Sequence, residues 1–278
     1  YEQGKGIPSQ TREMMNNKVY HSDIKLDETY LPLIGARHIK RYNLQPNEEF
    51  IKYGKNLAAP RDPRIYQGER ILINRILSRS VIDGVLVSEP LINNTDVFNL
   101  IPNSNNEIPI KSLFALIVSK LCATYFKKSN VNLNRDVFPK INVNTLETFP
   151  IPNIVEEDNL KFSQLVDQML SLNKELHETS KKFQRNLQRE YNLEKLSGKL
   201  ENWFQTPFNE FLKELEKSKV KLTLSQKAEW EDYFLQEQKK ALDIKHQIDT
   251  TDKEIDLMVY ALYGLAEEEI AIVENSNQ

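Results

Sequence analysis

The sequence predicts an α+β protein in which a mixed α/β region is followed by an all-α helical hairpin or small bundle. Eleven of the twelve prolines and six of the eight glycines lie at or before Pro152, so residues that interrupt regular structure almost disappear from the second half. Apolar residues form short β-branched runs in the first half and recur every three to four positions in the second. We therefore expect two domains, residues 1–150 and 151–278.

Three segments of the first region are predicted to be strands. Residues 70–77 (RILINRIL) and 81–87 (VIDGVLV) are rich in β-branched and apolar side chains, which is typical of buried strands. Residues 96–102 (DVFNLIP) look like a third strand that its proline ends. Residues 111–128 predict a helix instead, because apolar side chains recur there every four residues. That predicted face contains Leu113, Ile117, Leu121 and Tyr125.

The second region is predicted to consist of long helices. Apolar spacing predicts one helix from about residue 158 to residue 197, roughly 60 Å long at 1.5 Å per residue. Its narrow apolar stripe needs a partner, for which residues 225–247 offer a matching stripe. Thr206-Pro207 predicts a helix start with a capping hydroxyl, and residues 251–254 (TDKE) fit a capping box. Gly264 is expected to end that last helix in the left-handed conformation.

The formal net charge of −3 hides two oppositely charged regions. Residues 1–152 contain 20 Lys+Arg against 15 Asp+Glu, whereas the remainder contains 17 against 25. Residues 37–79 are the most basic stretch, with ten Lys+Arg against four Asp+Glu. Arginine forks can read guanine edges and lysines can neutralise phosphates, so this stretch is the candidate DNA-binding surface. Its candidate contact residues are Arg37, Lys40, Arg41, Lys52, Lys55, Arg61, Arg64, Arg75 and Arg79.

Other classes of protein fit the sequence poorly. The single cysteine, Cys122, excludes a disulfide framework, and its apolar surroundings predict a buried structural thiol. The longest strongly apolar stretch, residues 113–118, is too short to span a bilayer. Without a signal peptide or an initial methionine, the chain is expected to be a cytoplasmic fragment of a longer protein.

The search for a catalytic motif gives one weak candidate. Glu237 and Lys239 form a Glu-x-Lys pair with Asp232 upstream, which resembles the core of metal-dependent nucleases. In such enzymes the residues converge from adjacent strands, whereas here they lie in a predicted helix. No phosphate-binding loop and no histidine cluster with metal-ligand spacing is present in the sequence. We therefore expect no catalytic residue, no metal and no cofactor for this chain.

Several motifs occur in an order that is familiar from one family. They are residues 30–42 (YLPLIGARHIKRY), 53–63 (YGKNLAAPRDP), 68–76 (GERILINRI), 112–121 (SLFALIVSKL), 138–152 (FPKINVNTLETFPIP) and 252–270 (DKEIDLMVYALYGLAEEEI). Together they resemble the TaqI-like C-terminal specificity domain of type IIG restriction–modification enzymes. The resemblance implies a target recognition domain that reads a short sequence in double-stranded DNA.

The resemblance also implies partners and an enzymatic context. In the complete enzyme, an upstream methyltransferase domain of the same chain would methylate adenine with S-adenosylmethionine, and a nuclease domain would require Mg²⁺. The C-terminal helices would act as a spacer or mediate self-association. Two alternatives stay open: a helical protein-interaction module of a DNA-associated complex, and a metal-dependent nuclease that uses Glu237 and Lys239.

Overall fold

The computed structural model describes residues 10–45, 48–77, 81–103, 108–129 and 140–276. It confirms the predicted α+β class, because the strands lie in the first part of the chain and long helices follow. The chain packs as two compact units: residues 1–166 with 255–278 form the first, called unit 1, and residues 167–254 form the second, unit 2. Each unit is described by itself.

The described residues of unit 1 form two sheets and a short hairpin. Their strands are β1 (His21–Ser22), β2 (Tyr30–Ile34), β3 (Ile39–Lys40), β4 (Asn43–Leu44), β5 (Phe50–Lys52), β6 (Arg70–Asn74), β7 (Gly84–Val87), β8 (Ile92–Asn93) and β9 (Val97–Leu100). In the first sheet the order is β1-β5-β2-β8, with β2 parallel to β8 and the other pairs antiparallel. Strands β3 and β4 form the hairpin, and the order in the second sheet is β7-β6-β9.

The second sheet contains all three strands that the sequence predicts. Strand β6 is central, with Leu72 opposite Val85 on one side and opposite Asn99 on the other, both antiparallel. All five residues of β6 are buried, as expected for a central strand covered on both faces. In β7, a Cβ at Gly84 would lie 3.3 Å from the Leu72 carbonyl oxygen and 3.0 Å from Val118. Glycine therefore allows the close packing at this position.

Two helices replace the single predicted helix over residues 111–128. Helix α2 (Ile110–Ile117) ends at a turn around Val118 and Ser119, and α3 (Lys120–Ser129) follows. The predicted face is also displaced by one residue, since the most deeply buried row along the two helices is Phe114, Val118, Cys122 and Phe126. The near-continuous apolar sequence does not distinguish between adjacent faces, so packing against the sheet selects the buried one. Cys122 is buried, as predicted.

Unit 2 is helical and has its own aromatic core. Helix α5 (Glu156–Tyr191) has residues in both units, as does α8 (Leu224–Leu262). Within unit 2, Phe183 contacts Tyr233 and Phe234, whereas Tyr191 contacts Trp230, so the two helices run antiparallel, as predicted. Between them lie α6 (Gly198–Glu201) and α7 (Phe208–Lys217). Phe183 stacks on Trp203 with ring centroids 3.7 Å apart, so the stripe of α5 is covered within the chain.

One predicted helix start is wrong, and a second is right to within one residue but lacks the predicted capping hydroxyl. Helix α8 continues through Thr251, where the capping-box pattern predicts a new helix. Thr251 is 4 % exposed, and its burial within a continuous helix overrides the local capping signal. At the start of α7, the residue in the cap position is Pro207, without a side-chain cap. Thr206 instead lies against the carbonyl oxygens of Lys199 and Asn202, at 3.3 Å from each.

The C-terminal end of α8 follows the prediction. Gly264 has a φ of +64°, the left-handed region that glycine adopts without a steric penalty. Its N–H donates to the Ala261 carbonyl, and the Leu265 N–H donates to the Tyr260 carbonyl. These two bonds form a Schellman motif, which satisfies carbonyls at the helix end. The other α-helices among the described residues of unit 1 are α1 (Arg12–Asn16), α4 (Val143–Leu146) and α9 (Glu267–Asn275).

The predicted domain boundary near residue 150 differs from the division into compact units. Unit 1 includes residues 151–166 and 255–278, which the sequence assigns to the helical domain. A compact unit is defined by packing, whereas the predicted domains are defined by sequence composition. The domain boundary near residue 150 therefore stays a prediction. None of the helices among the described residues is both long enough and apolar enough to cross a membrane.

Candidate nucleic-acid interface

The segment from Gly35 to Leu44 holds three of the predicted contact residues on a tightly fixed loop. A 3₁₀ turn (Ala36–His38) leads into the β3–β4 hairpin, and Tyr42 at its tip has a φ of +61°. The Tyr42 N–H donates to the Gly84 carbonyl at 2.8 Å, and its ring meets Phe114 edge-on. The neighbouring Arg41 N–H donates to Asp83 Oδ1 at 3.1 Å. The loop is thus anchored to the second sheet by its own backbone.

Most of the predicted contact residues are exposed on unit 1. Arg37 is exposed on the 3₁₀ turn and Lys40 on β3, while Lys52 on β5 is half-buried. Lys55 and Arg61 are exposed in the segment after β5. Exposed cationic side chains such as these are accessible to a polyanion.

A pair of tyrosines fixes the backbone beside Arg61. The Tyr53 hydroxyl donates to the Arg61 carbonyl at 2.5 Å, and the Tyr53 ring meets the Tyr66 ring edge-on at 5.5 Å. Burial raises the pKa of Tyr53 to about 12, so this hydroxyl keeps its proton at neutral pH. The Arg61 side chain is exposed from a backbone position that these rings hold.

Arg64 has an internal partner but remains on the surface. Its guanidinium pairs with Asp62, 2.5 Å away at the closest oxygen, and its side chain is 89 % exposed. The hydrogen bonds from Arg64 lower the pKa of Asp62 to about 2. An exposed pair of this kind contributes little stability, so Arg64 can exchange Asp62 for another anion at little cost.

Arg41 belongs to a buried polar cluster instead. Its guanidinium lies 3.7 Å from Asp256 Oδ1, and the Asp256 side chain is 1 % exposed. Lys120 lies 3.6 Å from Asp256 and 2.8 Å from Glu274, which also accepts a hydrogen bond from the Tyr260 hydroxyl. Arg41, Lys120, Asp256 and Tyr260 each come from one of the sequence motifs. The cluster therefore gives these motif residues a structural role in unit 1.

Arg75 likewise has internal partners. Its Nε donates to the Ile141 carbonyl at 3.1 Å and its Nη1 to the Thr95 carbonyl at 2.9 Å. The guanidinium also lies 4.8 Å from the centre of the Phe98 ring, a cation–π distance. These interactions connect β6 to residues 95–98 and to Ile141. Arg79, the last candidate, lies outside the described residues.

A cleft in unit 1 adds residues that the sequence pattern missed. It has a volume of about 370 Å³ and is lined by Arg37 together with Lys18, His38, Glu49, Asn94 and Asp96. Lys18 and Glu49 form an ion pair across 31 positions of sequence. No local pattern brings such distant residues together. His38 had a weak signal, since it lies within the motif at residues 30–42, but nothing in the sequence marks it as part of a cleft.

The nuclease-like residues are not arranged as a metal site. Asp232, Glu237 and Lys239 all lie within the continuous helix α8, and Glu237 pairs with Lys240. Within the part of the chain that the structure describes, no group of three or more His, Cys, Asp and Glu side chains could hold a metal ion.

Two family models match adjacent parts of the chain. Residues 31–151 match the model described as a TaqI-like C-terminal specificity domain. Residues 155–259 match a model described as a domain of unknown function (DUF8810). No curated protein matches the chain. The resemblance read from the motifs of the first half is thereby confirmed over residues 31–151.

Proposed function

From the match of residues 31–151 to a specificity domain, we propose that this chain recognises a short sequence in double-stranded DNA. The basic character of residues 37–79 supports this proposal, because phosphate neutralisation supplies much of the affinity of DNA-binding proteins. The exposed Arg37, Lys40, Lys55 and Arg61 add accessible cations on unit 1. The family match is the observation on which the proposal depends.

Some of the basic residues interact with other groups of the protein, and we use these interactions to choose which residues contact DNA. We assign DNA contacts to Arg37, Lys40, Lys52, Lys55, Arg61 and Arg64, and we keep Arg79 as a prediction from the sequence. Arg41 pairs with the buried Asp256, and Arg75 donates to the carbonyl of the buried Ile141, so moving either side chain to DNA would break an interaction with a buried residue. Their role in the proposal is to hold the loops that present the other cations.

The proposal places the chain in a larger enzyme. An upstream adenine methyltransferase domain that uses S-adenosylmethionine would act on the site that this chain selects, as in type IIG restriction–modification enzymes. A nuclease domain with Mg²⁺ would make the enzyme bifunctional. The chain itself has no catalytic role in this proposal, its location is the cytoplasm, and its helices mediate any self-association.

A charge-reversal experiment tests DNA recognition. We expect the triple variant Lys40→Glu, Lys55→Glu, Arg61→Glu to bind a duplex, selected from a random pool by the full chain, at least about tenfold more weakly. The slope of log affinity against log salt should fall by roughly 1 for each phosphate that the variant no longer neutralises. Fluorescence anisotropy at several salt concentrations measures both quantities.

A matched variant in unit 2 controls for net charge. Lys174→Glu, Lys182→Glu, Arg189→Glu changes the charge by the same amount at exposed positions of α5. We expect this control to bind DNA almost as the unmodified chain does. Equally weakened binding in both variants, or no selection of any sequence by the unmodified chain, would contradict the proposed function and favour the protein-interaction alternative.

A further inference from the structure

Asp62 and Arg64 form an ion pair on an exposed 3₁₀ turn (Pro63–Tyr66) of unit 1. Arg64 Nε donates to Asp62 Oδ1 at 3.1 Å and to Oδ2 at 2.9 Å, and Arg64 Nη2 donates to Oδ2 at 2.5 Å. These bonds use the side edge of the guanidinium, which Nε and Nη2 form. Arg64 Nη1 has no acceptor among the residues that the structure describes. The end edge of the guanidinium, formed by Nη1 and Nη2, is therefore open to a ligand.

The Asp62 carboxylate also holds the backbone of the turn. Its Oδ1 accepts a hydrogen bond from the Arg64 N–H at 2.9 Å, and Asp62 is the capping residue of the turn. Pro63 stands between the two residues, and its ring fixes its own φ. Asp62 thus contacts both the main chain and the side chain of Arg64, which limits the directions in which the guanidinium can point.

The backbone is anchored on both sides of the pair. Before it, the Arg61 carbonyl accepts a hydrogen bond from the Tyr53 hydroxyl at 2.5 Å. After it, Tyr66 is 6 % exposed in an apolar cluster with Ile51, and its carbonyl accepts from the Leu91 N–H at 3.3 Å. The exposed ion pair therefore stands on a backbone that buried contacts hold in place.

The open edge of Arg64 offers two parallel N–H donors. In the major groove, guanine presents two neighbouring acceptors, O6 and N7, and arginine reads it with two hydrogen bonds. A phosphate can also accept two, but the Asp62 carboxylate beside the guanidinium compensates its charge and repels a second anion. A guanine edge is uncharged, and it leaves the hydrogen bonds between Arg64 and Asp62 in place. The geometry of the pair therefore favours a base over a phosphate.

We propose that Arg64 reads a guanine of the recognition sequence through its Nη1–Nη2 edge, and that Asp62 is the positioning residue that holds the guanidinium from its other edge. The proposal rests on the proposed function, in which Arg64 is a DNA contact. It adds that this contact is to a base and that it depends on Asp62. Arg61, exposed in the same segment, forms no ion pair among the described residues, and it serves as a phosphate contact.

Replacement of single guanines by 7-deazaguanine tests the contact at one atom. The analogue lacks the N7 acceptor and keeps its base pairing. In the duplex that the full chain selects, we expect one such replacement to weaken binding of the unmodified chain about tenfold. In Arg64→Met the same replacement should have almost no further effect, because the donors to N7 are gone. Fluorescence anisotropy of both proteins on both duplexes measures this coupling between the residue and the atom.

Asp62→Asn tests the positioning role. The asparagine oxygen can still accept the Arg64 N–H, so the turn keeps its cap, but the neutral amide forms no ion pair with the guanidinium. We expect the effect of 7-deazaguanine to fall from about tenfold to about twofold in this variant. Binding of a mixed-sequence duplex should not weaken. Glu69→Gln removes a negative charge at another exposed position and should keep the full effect of 7-deazaguanine.

Arg61→Met is the matched control for the loss of a cation from the same segment. We expect it to lower the salt slope by about 1 on the selected and the mixed-sequence duplex alike, and to keep the full effect of 7-deazaguanine. Arg64→Met should leave the salt slope on the mixed-sequence duplex unchanged. Circular dichroism and thermal unfolding verify that each variant is folded.

The outcomes separate this proposal from the proposed function. If the unmodified chain binds the selected duplex but no 7-deazaguanine position is coupled to Arg64, the guanine contact is wrong and the proposed function survives. A salt slope lowered by about 1 in Arg64→Met on both duplexes, without coupling, would assign Arg64 to a phosphate and also overturn the proposal. A full effect of 7-deazaguanine in Asp62→Asn would overturn the positioning role. If the unmodified chain binds no duplex, the proposed function itself fails.

Discussion

At the scale of single residues, arginines from one basic stretch have opposite environments. Arg64 is 89 % exposed beside Asp62, whereas Arg70, six positions later, is fully buried. The Arg70 guanidinium donates to the Gly68, Glu89 and Leu91 carbonyls and to the Asn99 side chain. Burial lowers the pKa of Arg70, yet it stays a cation, since arginine is protonated throughout the working range. Its role is to satisfy acceptors around β6.

We expect Arg70→Met to destabilise unit 1 by about 3 kcal/mol. The substitution keeps much of the side-chain volume but leaves buried carbonyls without a donor. Urea unfolding followed by hydrogen exchange at the amides of β6 measures the destabilisation. Arg64→Met is the matched control, and it should leave the urea midpoint almost unchanged because the exposed pair with Asp62 contributes little. Equal effects from the two variants would contradict the structural role of Arg70.

At the scale of helices and strands, a capping pattern in the sequence marks a helix end only where the packing supports it. The end of α8 is where the glycine predicts it, because Gly264 is left-handed and completes a Schellman motif. The capping box at residues 251–254 is overridden, because the helix continues through it. A capping signal contributes about 1 kcal/mol, which a buried helix interior can outweigh.

We expect Gly264→Ala to destabilise the protein by about 1 kcal/mol. No atom lies within 4 Å of a Cβ built there, so the cost is that of holding alanine at a φ of +64°. Gly198→Ala is the matched control, since its Cβ position is equally open and its φ is not positive. Alanine at the start of α6 should be neutral or slightly stabilising. Thermal unfolding compares the two, and a stable Gly264→Ala protein would argue against the left-handed cap.

At the scale of the whole molecule, each of the two units contains buried apolar clusters of its own. The aromatic core of unit 2 is built around Phe183, Trp203 and Phe234, whereas apolar clusters around Leu72 and Ile51 lie in unit 1. Both tryptophans of the chain, Trp203 and Trp230, belong to unit 2. Tryptophan fluorescence therefore reports on unit 2 alone.

This separation predicts that unfolding has two transitions. We expect Arg70→Met to shift the urea midpoint measured at the β6 amides and to leave the midpoint of tryptophan fluorescence almost unchanged. Chains with more than one compact unit commonly depart from two-state behaviour. A common shift of both midpoints would show instead that helices α5 and α8, which have residues in both units, couple them into one cooperative system.

The sequence by itself determined those features that depend on residues close together along the chain. Alternation between turn residues and β-branched runs identifies β6, β7 and β9, and three-to-four spacing identifies α5 and α8, because strand and helix periods are set by the backbone. The order of the motifs was sufficient to identify the family resemblance, which the family model confirms over residues 31–151. The presence of Gly264 was sufficient to predict where α8 ends.

Only the tertiary structure determined which of the basic side chains are exposed and which interact with groups inside the protein. In the sequence, Arg41, Arg70 and Arg75 are indistinguishable from Arg37 and Arg61. Their environments depend on partners far along the chain, such as Asp256 for Arg41 and Ile141 for Arg75. The break between α2 and α3 and the cleft at His38 also depend on residues distant in sequence. Burial turns a cation into a structural donor, and only the folded chain determines burial.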